Sequence, residues 1–96
     1  MQTIESIKKA ITPIAQEYGL KRVYLFGSYA KGTATEKSDV DLLIEKGKHL
    51  TLLGMSGILL DVKNALGVPV DLLSIGGLSP EFKNEIEASE VLLYEE

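Results

Sequence analysis

The chain has 96 residues, 45% hydrophobic and 25% charged, which describes one ordinary globular domain and leaves no length for a second, substrate-holding one. Its net charge of -4 argues against a general nucleic-acid binder, which needs a basic excess to neutralise phosphates. The absence of cysteine excludes disulfides, thiolate metal sites and cysteine nucleophiles and fits a cytoplasmic protein; the first residues show no secretion leader, and no apolar run is long enough to cross a bilayer.

In chain order, Ile4, Ile7, Ile11, Ile14 and Ala15 recur near the helical period, so Thr3 to Tyr18 reads as an amphipathic helix ended by Gly19. Pro13 falls inside it and is expected to kink it or to set its true start. Arg22 to Phe26 is rich in β-formers and reads as the first strand. Gly27 and Ser28 break it. Ser28 to Lys31 reads as a short helical turn ended by Gly32, and Thr33 to Ser38 as a polar loop. Asp39 to Glu45 alternates, with Val40, Leu42 and Ile44 on one face and Asp39, Asp41 and Leu43 on the other, as a second strand requires. A second long helix is expected from about Thr51 to Leu66, capped by Gly67. Val68 to Leu73 reads as a third strand carrying Asp71, and Ile75 to Leu78 as a loop. Ser79 is a good N-cap and Pro80 a good first helical residue, so the next helix runs from Pro80 to Ser89; Val91 to Tyr94 adds a short edge strand. This alternation points to an α/β or α+β sandwich of helices on a sheet, in one domain over residues 1–96.

The chemistry concentrates in three aspartates. Asp39 and Asp41, at i and i+2 on a strand, share a face with Cα atoms roughly 6.5 Å apart. Two carboxylates held that way can converge on a pair of divalent ions, and magnesium suits a site of a few carboxylates completed by phosphate and water. An isolated D-x-D is more often a solvated strand face. Asp71 shifts that balance, because its neighbours Val68, Pro69, Val70, Leu72 and Leu73 are all apolar and a lone carboxylate there needs a partner, a metal or an exposed edge. A third carboxylate would complete a metal cage and can accept a proton from an attacking hydroxyl. Gly27 and Ser28 supply a phosphate side, with close backbone approach at the glycine, free N–H groups at a helix start and a serine hydroxyl. Lys31 is either a surface lysine or a partner for phosphate charge. Ser38 either closes the turn before Asp39 or touches phosphate. His49, the only histidine, reads as a solvated loop residue. Tyr24 and Phe26 read as core aromatics, and Tyr29 sits within the phosphate loop.

The segment Gly27-Ser28-Tyr29-Ala30-Lys31-Gly32-Thr33-Ala34, followed by Ser38-Asp39-Val40-Asp41-Leu42-Leu43-Ile44, closely resembles the signature of the DNA polymerase β-like nucleotidyltransferase superfamily. Within it the chain resembles the minimal nucleotidyltransferases, the MNT antitoxins paired with HEPN toxins, and the likeness extends through Val70-Asp71-Leu72 to Val91-Leu92-Leu93-Tyr94-Glu95. Lys31 departs mildly from the arginine common at its position, keeping the charge and losing bidentate contact. The resemblance implies a small mixed sheet with helices packed on one side. It implies transfer of AMP from ATP to a tyrosine hydroxyl of a partner HEPN toxin, which neutralises the toxin. It implies that Asp39 and Asp41 bind two magnesium ions, that Asp71 is the third ligand and candidate general base, and that Gly27 and Ser28 hold the outer phosphates. Two alternatives stand beside it: an antitoxin that masks its toxin without catalysis, and the catalytic subunit of a small-molecule, antibiotic-type nucleotidyltransferase. No direct contact with nucleic acid or membrane is expected.

Overall fold

A computed structural model describes residues 2–48 and 50–96, so His49 lies outside the described residues. The chain runs α1 (Ile4–Tyr18), β1 (Arg22–Phe26), α2 (Gly27–Lys31), β2 (Val40–Glu45), α3 (Leu52–Leu66), β3 (Val70–Ser74), a 3-10 turn (Ile75–Gly77), α4 (Pro80–Glu87) and β4 (Val91–Glu95). The strands form one mixed sheet in the order β3-β2-β1-β4, an α+β architecture. β1 pairs antiparallel with β2 and β4, whereas β2 and β3 run parallel, joined by the α3 crossover that parallel neighbours require.

Local chemistry sets the boundaries. α1 begins at a capping box in which the Ser6 N–H donates to Thr3 Oγ1 at 3.0 Å and the Thr3 N–H to Ser6 Oγ at 2.9 Å. That cap fixes the start of α1, so Pro13 lies inside the helix, on its exposed side, and not at its beginning. α3 is capped by Thr51 and α4 by Ser79, each accepting from the N–H three residues on, with Pro80 at the first turn of α4. β3 begins two residues later than the apolar run suggests: Pro69 has no N–H to give the ladder, and its carbonyl instead accepts from the Val40 N–H at 3.0 Å.

The alternation along β1 and β2 divides the molecule. Val23, Leu25, Val40, Leu42 and Ile44 face one side and are almost wholly buried against Ile7, Ile11 and Ile14 of α1 and Ile58 and Val62 of α3. The two long helices pack together on that side, and only the short α4 lies on the other. The Tyr18 hydroxyl donates to Asp61 Oδ2 at 2.9 Å, passing over Gly57, where a Cβ would stand 2.6 Å from it. Gly57 therefore serves the α1–α3 contact. Tyr29 joins this core with its ring buried, so it faces away from the loop's solvent side. On the opposite side Phe26 and Leu43 pack against Ile86 of the shorter helix α4, with Tyr24, Leu73, Ile75 and Leu78 around them. No helix among the described residues is long and apolar enough to cross a membrane.

Candidate active site

The second face of the sheet carries the aspartates. Asp41 is the second residue of β2, paired in register with Phe26 at the end of β1 and with Asp71 on the parallel strand β3. Residues in register on neighbouring parallel strands share a face, about 4.8 Å apart. Asp41 and Asp71 thus lie side by side, close enough for a hydrogen bond when one is protonated. Asp41 is half-buried and Asp71 is exposed on the outer edge strand. Asp39 is exposed just before β2, where its charge reaches Asp41.

Among the described residues no lysine or arginine pairs with any of the three; the ion pairs are those of Arg22 with Glu45 and Glu95. Burial, then the Asp71 carboxylate, then that of Asp39 push the Asp41 carboxyl up to about 6 from its ordinary 3.8.

Gly27 closes the site from the side of β1. It opens α2 with φ +72, a conformation side chains rarely adopt, and a Cβ there would collide with Asp41 Oδ2 and approach its Cγ to 3.1 Å. The backbone at the start of α2 therefore lies directly against the carboxylate, and no side chain caps that start. Ser28 follows, half-buried, in the first turn. Lys31, exposed, is the last residue of α2. Ser38 closes the turn that delivers Asp39: its Oγ accepts from the Thr35 N–H at 2.8 Å, and its N–H donates to the Thr35 carbonyl at 3.0 Å. The turn role is the one the geometry gives it.

The donors are hard oxygens, unpaired with any basic side chain and seated against a glycine backbone, which fits magnesium. Among the described residues no three acidic or histidine side chains close tightly enough to cage an ion. Magnesium does not require such a cage, since it binds through one or two carboxylates and takes its other oxygens from water and phosphate. One neighbour drew no attention in the sequence. Phe82 of α4 stands edge-on to Phe26, ring centroids 6.2 Å apart, and remains 37% exposed. Its place in an amphipathic helix gives no sign of this, because the contact depends on how α4 crosses the sheet.

The chain is similar to known proteins over most of its length. Residues 7–93 match the family model described as a nucleotidyltransferase domain. A Methanocaldococcus jannaschii protein, provisionally named protein adenylyltransferase MJ0435, is 38% identical over 91 residues, covering 93% of this chain and 98% of the relative. Protein adenylyltransferase MntA of Thermococcus cleftensis is 32% identical over 77 residues, 76% of this chain and 78% of its own length. A chain in the solved complex of a tri-AMPylated Shewanella oneidensis HEPN toxin with an MNT antitoxin shares the fold at a TM-score of 0.74 and 19% identity, covering 98% of this chain and 74% of that one.

Proposed function

The chain belongs to the nucleotidyltransferase domain family and is a nucleotidyltransferase, and on that premise we propose that it moves AMP from ATP to a tyrosine hydroxyl of a partner HEPN toxin, thereby neutralising it. The observation that carries this reading is the in-register pair Asp41–Asp71, set against the Gly27 backbone with, among the described residues, no basic side chain to balance it. A sheet gains nothing from two adjacent carboxylates, so the arrangement makes sense as a binding site for positive charge. The names of the relatives add adenylyl transfer to protein, and the Shewanella complex adds the toxin as the kind of partner.

Asp39, Asp41 and Asp71 would hold two magnesium ions, which supply charge neutralisation to the triphosphate. Gly27 and Ser28 hold the outer phosphates through backbone N–H groups and the Ser28 hydroxyl, and the Lys31 ammonium approaches them from the end of α2. Ser38 sets the turn that aims Asp39. Asp71, on the open edge strand, is the group an incoming hydroxyl meets first and accepts its proton. The hydroxyl oxygen bonds to the α-phosphorus as the bond to the bridging oxygen breaks, and pyrophosphate leaves on the opposite side. Such chemistry asks the protein mainly for positioning and charge stabilisation. Residues 1–96 act as one minimal nucleotidyltransferase domain, in the cytoplasm, where ATP is available.

The test is incubation with magnesium, α-phosphate-labelled ATP and a HEPN-type toxin from the same genome, followed by mass spectrometry of that toxin. Label on a partner tyrosine is expected. A stable complex that never takes up label would assign the chain to binding-only antitoxins instead.

A further inference from the structure

We propose that Phe82 is the platform on which the base of the donor nucleotide stacks, a role that rests on the transfer reaction above. Phe82 is the third residue of α4, and its N–H donates to Ser79 Oγ at 3.3 Å, so the cap holds its backbone in place. Its ring meets Phe26 at an interplanar angle of 90°. An edge-on pair uses at most one face of either ring. Phe26 is only 9% exposed, while Phe82 is 37% exposed, so Phe82 is the member that offers a ring to solvent.

Its position follows from the strands. Phe26 is the register partner of Asp41 and the residue before Gly27, so the series Asp41, Phe26, Phe82 leads from the carboxylates directly to an open aromatic ring. The sheet order puts Asp71 on the far side of Asp41 from Phe26. In an in-line displacement the attacking and leaving oxygens lie opposite one another. With the outer phosphates at Gly27 and Ser28, beyond the end of β1, the acceptor hydroxyl arrives from the β3 edge. Phe82 lies on the β1 side, away from that approach, where the ribose and base remain. Stacking on a phenyl ring tolerates any base, because every base has a π-face. This site thus recognises a nucleoside by its flat ring, with little choice among bases at this contact.

Equilibrium titration of the full chain with AMP-PNP and with inorganic tripolyphosphate, both in magnesium, separates the base from the phosphates. Phe82→Leu keeps apolar cover over Phe26 and removes the π-face; it is expected to raise the Kd for AMP-PNP about tenfold, with the tripolyphosphate Kd and the melting temperature unchanged. Phe82→Trp is expected to bind AMP-PNP at least as tightly as the parent. Asp41→Asn, in contrast, weakens both ligands. AMP-PNP binding by Phe82→Leu that equals the parent's overturns the proposal, and so does a defect confined to the KM of the protein acceptor. A parent that binds neither AMP-PNP nor tripolyphosphate removes the transfer reading itself, and the base platform with it.

Discussion

Strand β1 has carboxylates across from both of its ends, and the two ends treat them differently. At its start, Arg22 reaches Glu45 of β2 and Glu95 of β4, each at 2.7 Å, so one guanidinium ties three strands together. At its finish, Phe26 faces Asp41, which abuts Asp71, and among the described residues no basic side chain answers either. The first end is what a sheet does with charge when stability is the only demand. The second holds like charges together and pushes a carboxyl up to about 6, a cost that the proposed site accounts for and packing does not.

The sharpest way to break the contrast is Asp41→Asn. AMP transfer is expected to fall about 10³-fold, the scale of lost charge stabilisation in a transition state, while the metal-free protein melts several degrees higher because a partly buried charge and its repulsion with Asp71 are gone. A variant that lost both activity and stability would mark Asp41 as structural. Gly27→Ala comes next. Its positive φ and the collision with Asp41 Oδ2 predict a loss of about 1–3 kcal/mol in denaturant unfolding, together with loss of transfer.

Acidity sharpens the same comparison. The Asp41 carboxyl has its folded value raised to about 6 above the ordinary 3.8, so the folded state holds the proton more tightly. Its contribution is fully present below about pH 4 and is lost as pH rises through 6. Metal-free protein should therefore gain up to about 1 kcal/mol on acidification from pH 7 to 5, after allowance for partial solvent exposure, and Asp41→Asn should flatten that slope. The smallest effect belongs to the paired end. Arg22→Ala, at a half-exposed ion pair, should lower the melting temperature only slightly, less in high salt, and leave transfer intact.

Much of this was readable in the residues themselves. The D-x-D alternation put Asp41 on the face opposite Val40 and Leu42, and Gly27-Ser28 after an apolar strand marked the start of α2. Ser79-Pro80 gave the start of α4 because capping chemistry is local. What was not readable is long-range. Nothing in either strand alone sets Asp41 in register with Asp71, since parallel pairing depends on how the α3 crossover packs. Nor does local sequence reveal that Gly27 is held against Asp41 Oδ2, that Gly57 makes room for Tyr18, or that α4 sets Phe82 on Phe26.

The claim at the centre of this account is that the Asp41–Asp71 end of the sheet is built to receive positive charge with a nucleotide. Thermal unfolding of the parent, Asp71→Asn and Arg22→Ala, each with and without magnesium and AMP-PNP, tests it directly. The account predicts that the ligands raise the melting temperature of the parent and of Arg22→Ala alike, and that Asp71→Asn gains little or nothing. Equal stabilisation of all three proteins would contradict it.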